Sequence, residues 1–295
     1  MSSRGLPIAL IILSAGCLAA VWLTRAPTPA ATPPNAVAVA PTPPVAVPAP
    51  RTGDAPATPS APLAAPVFLP IPARYAGQVV RSRVRGFPEK LLALTFDDGP
   101  STTVTPRILE TLREHGARAT FFQLGSAIAA DEDITHRVFA EGHAVGNHSY
   151  SHPSSTSEAA AVSELERTAE LIEQCTGHAP ELFRPPYGIT KGNLNRAALS
   201  RGYVGVLWTI SAADTDRRAT AETIATNVIH TPNPGDIVLM HDSGGHEDTA
   251  EALPRILEEL GAAGFRFVTV PELLDAWDKW QEADGGAGDR STPPG

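Results

Sequence analysis

From about Val79 onward the apolar positions alternate between two textures. Short apolar runs give way to longer stretches in which apolar residues return every three or four positions. These are the signatures of buried strands and amphipathic helices. Leu91 to Leu94 is an uncharged run ahead of turn residues and reads as a strand covered on both faces. Further strands are predicted over Ala119–Leu124, Ala144–Asn147, Tyr203–Ile210, Asp236–Met240 and Phe265–Val270. Helices are predicted over Pro106–His115, Ile134–Glu141, Glu158–Gln174, Asn193–Arg201, Ala221–His230, Ala250–Ala263 and Pro271–Trp280. In the first of these Thr105 supplies a cap, Pro106 sits in the first turn and Gly116 ends the helix. Repeated strand-then-helix units predict an α/β fold with a parallel sheet, and seven or so strands suffice to close a barrel.

The first 78 residues have a different texture. Gly5 to Leu23 runs 19 residues without a charge. As a helix it would span roughly 28 Å, close to the hydrocarbon thickness of a bilayer. It reads as an uncleaved signal anchor with the amino terminus inside. A cleaved signal peptide and lipidation at Cys17 are the alternatives, and all three export the rest of the chain. From Ala26 to about Pro72 lie 15 of the chain's 29 prolines, with Arg51 and Asp54 as the charges. Such a tract cannot bury a core and favours extended polyproline II, so it reads as a disordered linker. The predicted organisation is therefore a membrane segment over 1–25, a Pro/Ala-rich linker over 26–78, a catalytic domain over 79–282 and a flexible tail over 283–295.

With 295 residues the chain has room for one large domain with extensions, and a formal charge of −9 without a Lys/Arg run argues against a nucleic-acid partner. Cys17 and Cys175 make no disulfide framework.

Candidate chemistry sits just after the strands. Asp97 and Asp98 follow the Leu91–Leu94 run into a Gly-Pro turn. Adjacent side chains on extended backbone point different ways, so one carboxylate can bind a metal while the other serves as a base. His148 and His152 are four residues apart, and Pro153 disfavours helix at His152, which predicts a tight loop. Two imidazoles with Asp98 would leave open positions on a catalytic zinc or similar ion. Arg184-Pro185-Pro186-Tyr187-Gly188 is a stiff loop in which Arg184 can orient a carboxylate and a backbone N–H near Tyr187 can face an oxyanion. His241 ends an apolar strand and suits general acid work. His246, in the Gly-rich segment beyond, reads as solvated. Each motif alone has a bland reading as an ordinary turn or a surface histidine.

Taken together, TFDDGP, HSYSH, RPPYG and LMH, in this order over about 150 residues, resemble the polysaccharide deacetylases with a NodB homology domain, carbohydrate esterase family 4. The resemblance covers roughly residues 88 to 275. It implies a deformed (β/α) barrel and a divalent metal held by Asp98, His148 and His152. Zinc is the usual metal, with cobalt, nickel and manganese as alternatives. It implies Asp97 as base, His241 as acid, Arg184 as the partner of the base, Tyr187 as backbone donor and Leu239 as the wall of the acetyl pocket. A Trp-containing segment ending in Asp-Trp is common in the family. Here it reads Leu207-Trp208-Thr209-Ile210-Ser211-Ala212-Ala213-Asp214-Thr215-Asp216. Trp208 is assigned to the substrate groove. Asp214 is chosen to tune His241, with Asp216 as the fallback, and Ser211 and Thr215 depart from the pattern.

The implied activity is metal-dependent removal of N-acetyl groups from N-acetylhexosamine residues of an extracytoplasmic glycan. Peptidoglycan is favoured, followed by chitin-like oligomers and poly-N-acetylglucosamine. A xylan O-acetyl esterase on the same site, a non-catalytic glycan-binding module and a small-molecule amide hydrolase are the competing expectations. A membrane-anchored monomer with its catalytic domain in the periplasm or cell envelope, or a secreted protein if the signal is cleaved, completes the expectation.

Overall fold

A computed structural model describes residues 68–230 and 232–283. Among them, nine strands form one sheet in which every pairing is parallel. They are β1 (Val79–Val80), β2 (Leu91–Asp97), β3 (Ala119–Gln123), β4 (Ala144–Asn147), β5 (Leu182–Phe183), β6 (Val204–Val206), β7 (Ile210–Ser211), β8 (Asp236–His241) and β9 (Arg266–Phe267). The α-helices are α1 (Thr105–Glu114), α2 (Gly125–Ile128), α3 (Glu132–Ala140), α4 (Glu158–Thr176), α5 (Asn193–Ser200), α6 (Ala221–Ile229), α7 (Glu247–Ala262) and α8 (Val270–Ala283).

The strand order is β1-β6-β5-β4-β3-β2-β8-β7, with β9 against β2. The central strand β2 is buried along its whole length, and its side chains divide by the period of two. Leu92, Leu94 and Phe96 join Ile108, Leu109 and Leu112 of α1 and Leu253, Ile256 and Leu257 of α7 in the outer core. Leu91 and Ala93 face a second core with Phe122, Ile237, Val206 and Trp277. Thr95 and Asp97 continue that second face, so the alternation itself delivers Asp97 to the inner side of the curled sheet.

The expected deformed barrel takes the form of a curled, partly open sheet, because β1 and β7 end the strand order without pairing to each other. Three expectations are corrected here. The predicted strand Tyr203–Ile210 breaks because its segment changes partner: Leu207 N–H donates to Val80 O on one edge, Thr209 N–H to Ile237 O on the other. The predicted strand Phe265–Val270 shrinks to β9. It pairs with Leu91 and Leu92 alone, since β3 takes that flank of β2 from Leu94 upward, and Val270 already begins α8. Finally, residues 68–78 fall in the predicted linker but dock on the barrel. Ile71 and Tyr75 pack against the inner core, Ile71 N–H donates to Glu181 and Gly77 N–H to Tyr203 O.

Thr105 is the first residue of α1, and its side chain makes no cap hydrogen bond. The expected membrane segment, Cys17, the linker up to Val67 and the tail from residue 284 lie outside the described residues. No described helix is long and apolar enough to cross a membrane.

Candidate active site

Every predicted site residue lies on the inner strands or on the loops at their carboxyl ends. Parallel register brings them together: Asp97 on β2 is paired with His241 on β8, a strand spacing of about 4.8 Å away. Asn147 on β4 precedes His148 and is paired with Phe183, which precedes Arg184.

Asp97 is buried, and so is its partner. The Arg184 guanidinium is fully enclosed, with Nη1 donating to Asp97 Oδ1 at 2.7 Å and to Thr95 Oγ1 at 2.8 Å. Its Nε donates to Val206 O at 3.0 Å, and Cζ lies 4.1 Å from the Phe122 ring centroid. Burial presses the Arg184 pKa down while the Asp97 charge opposes that. A buried guanidinium so fully satisfied fixes the carboxylate beside it in direction.

Asp98 turns the other way. Its φ of 71° is left-handed, and Oδ1 lies 3.4 Å from both His148 Nε2 and His152 Nε2. His148 Nδ1 is 2.7 Å from the Arg184 carbonyl. A carbonyl only accepts, so Nδ1 carries the hydrogen and Nε2 presents a lone pair toward Asp98. Ligand atoms bound about 2.05 Å from a tetrahedral ion stand roughly 3.3–3.4 Å apart, which is the separation of Asp98 from each imidazole. Asp98 Oδ1 is moreover buried without a hydrogen-bond partner. The donor set fits a divalent cation. Burial favours the neutral Asp98 acid, but the neighbouring imidazoles, His148 foremost, outweigh it and lower the pKa to about 2. Burial, then repulsion from His148, presses the His152 pKa down, which keeps that imidazole neutral as a ligand must be.

The loop carrying the two imidazoles is irregular, as Pro153 predicts, and it is strained. Ser149 and His152 both adopt left-handed backbone (φ 70° and 58°), at about 1–3 kcal/mol each.

On the opposite side His241 Nδ1 sits 2.9 Å from Asp214 Oδ1. Asp214 Oδ2 accepts from the His241 N–H at 2.7 Å and from Thr249 Oγ1 at 2.9 Å. Burial alone would lower the imidazole's pKa, but Asp214 reverses this and raises it to about 9. Asp216 is exposed, and its carboxylate accepts from the Arg218 N–H. His246 is half-buried and stacks on His241 with ring centroids 5.2 Å apart, so the solvated reading of that residue is corrected. Asp214, His241 and His246 also lie within ligand reach of one another, but the Asp214 carboxylate is already taken up by three donors.

The remaining predicted residues lie around these groups. Tyr187 has φ 57° and an exposed side chain whose ring meets His152 edge-on at 4.4 Å. Leu239 is buried on β8 opposite Thr95. Trp208 is half-buried beside Arg184 and so close to Gly188 that a Cβ there would stand 3.0 Å from its ring.

Sequence reasoning missed four supporting side chains. Thr95 could have been found, being two residues before Asp97 on the same face. Thr249 and Glu164 contact the site only through the fold. Asp242 is fully buried beside Gly99, accepts from Thr105 Oγ1 at 2.7 Å, and has its pKa pushed up to about 7 by burial.

Residues 85–206 match the family described as polysaccharide deacetylase. A peptidoglycan-N-acetylglucosamine deacetylase of Bacillus cereus is 38% identical over 187 residues, covering 62% of this chain and 68% of the relative. The solved structure of the Bc1960 peptidoglycan N-acetylglucosamine deacetylase superposes with a TM-score of 0.60 at 37% identity, over 63% of this chain and 89% of that one. The Xyl-CE4 domain of a multidomain xylanase from the hindgut metagenome of Trinervitermes trinervoides gives 0.59 at 33% identity, over 64% and 91%.

Proposed function

The chain belongs to the polysaccharide deacetylase family, and on that premise we propose that it removes N-acetyl groups from N-acetylhexosamine residues of peptidoglycan, releasing acetate with the help of one divalent ion. The observation that carries this reading is Asp98 at tetrahedral ligand spacing from both His148 and His152, flanked by two separately anchored groups of opposite role. Zinc suits a site of two imidazoles and one carboxylate. Bound there, the ion would polarise the acetyl carbonyl and acidify a water.

The residues of the chain do the rest. Asp97, held by Arg184, accepts the proton of the attacking water. The backbone N–H at Tyr187 faces the oxygen on which negative charge grows. His241, kept protonated by Asp214, donates from Nε2 to the departing nitrogen. Leu239 supports an apolar seat for the acetyl methyl, and Trp208 lines the groove. Base and acid thus stand on adjacent strands, Asp97 oriented by Arg184 and His241 held as the proton donor by Asp214.

The preference for peptidoglycan draws on the relative of that activity in Bacillus cereus and on the exported, tethered layout of the sequence. We place the catalytic domain at 79–282, extended back to Phe68 by the docked segment, acting outside the cytoplasmic membrane on a spacer. The test is acetate release from peptidoglycan, chitin oligomers and acetylated xylan before and after chelation. Release from peptidoglycan that stops on chelation, returns with zinc and is abolished in Asp97→Asn is expected. Release from xylan alone would favour an ester substrate. Glycan binding with no metal-dependent acetate release would refute the reading.

A further inference from the structure

The two imidazoles of the ligand set are held in different ways. His148 has its own ring anchor, the Nδ1 hydrogen bond to the Arg184 carbonyl. His152 is hydrogen-bonded through its backbone, from N–H to Ser149 Oγ at 3.1 Å, and apart from the approach to Asp98 its ring meets the His148 and Tyr187 rings, with no anchor on Nδ1 among the described residues. Its position therefore depends on the course of the loop from Ser149 to His152, and that loop contains two left-handed non-glycine residues.

One side chain outside the ligand set grips this loop. Glu164, in the second turn of α4, accepts from Tyr150 N–H and Ser151 N–H through Oε2, both at 2.8 Å, and from Ser151 Oγ through Oε1 at 2.8 Å. No ion-pair partner competes for the carboxylate among the described residues. Three charge-assisted bonds to two consecutive residues fix both the height and the rotation of the loop. Neighbours on the same helix hold the loop's base and flank. Asn147 Nδ2 donates to Leu165 O while its Oδ1 accepts from Ser149 N–H, and the Arg167 guanidinium lies 3.5 Å over the Tyr150 ring.

We infer that Glu164 is the positioning residue for the second imidazole: it does for His152, through the loop, what the Arg184 carbonyl does for His148 through the ring. A ligand that must be pulled into place binds its ion less tightly than one held there beforehand, and such supporting groups commonly set affinity. The inference rests on the metal reading of the site.

The test is zinc affinity of the full chain in detergent, by competition with a chromophoric chelator, alongside the melting temperature of the metal-free protein. Glu164→Ala should bind zinc about 10–100-fold more weakly. Glu164→Gln keeps an oxygen for both N–H groups and should recover most of that loss. Glu164→Asp keeps the charge but withdraws it by one methylene, and should fall below Gln. That ordering decides the matter even if the Ala variant fails to fold. Wild-type affinity in a folded Glu164→Ala, or Asp binding more tightly than Gln, would overturn the inference while leaving the metal reading intact. A wild-type chain that binds no zinc would overturn both.

Discussion

Asp214→Asn removes a charge from His241 and almost no volume. The imidazole pKa stands at about 9 because Asp214 outweighs burial, against an ordinary 6.5. That difference corresponds to about 3 kcal/mol favouring the imidazolium in the folded state. The Asn oxygen has to keep accepting from the His241 N–H and Thr249, since both are donors. Its NH2 then faces Nδ1, where it disfavours the imidazolium. If the pKa returns to about 6.5, the protonated fraction at about pH 8 falls from roughly 90% to roughly 3%, near 30-fold, while at about pH 6 it changes by less than twofold. The assay is the pH profile of kcat for acetate release, whose alkaline limb should move down by about 2.5 pH units. Stability carries the same sign. A folded pKa raised above the unfolded value stabilises fully below about 6.5 and loses that contribution as pH rises to about 9, so the wild type should exceed the variant most at acid pH. An unmoved alkaline limb, or an equal loss of rate at both pH values, would refute the reasoning.

Arg184→Met should destabilise by about 3–5 kcal/mol, because the buried Asp97 carboxylate would lose the guanidinium that hydrogen-bonds it. Urea unfolding checks this, and adding Asp97→Asn should restore much of the stability but none of the activity. Gly99→Ala should cost about 1–3 kcal/mol: a Cβ would stand 2.3 Å from Asp242 Oδ2, which has no room to retreat. Calorimetry should show a lowered Tm, with zinc affinity falling as the adjoining Asp98 shifts.

The motifs were legible because this chemistry needs particular residue types at fixed offsets. Two carboxylates after a strand, two imidazoles four apart and a stiff Arg-Pro-Pro loop are written in sequence order, and so is the β2 alternation that sends Asp97 inward. The parallel α/β character followed from periodicity, since a buried strand and an amphipathic helix each impose their own spacing. Short strands were not legible: β1, β5 and β7 have two residues each, too few to display a period. Nor was the place where Leu207–Thr209 changes partner, because nothing in a strand's own residues says which neighbour takes its N–H groups.

What sequence alone determined, then, is the set of reacting groups and the kind of sheet that carries them. Which carboxylate meets His241, Asp214 and not Asp216, was settled by the fold, through a turn that buries one and exposes the other. The guanidinium under Asp97 and the Glu164 grip on the imidazole loop were decided there too. Hydrogen bonds between residues 13 to 87 positions apart in the chain depend on the packing of whole elements, and that packing is a property of the assembled core rather than of any local stretch.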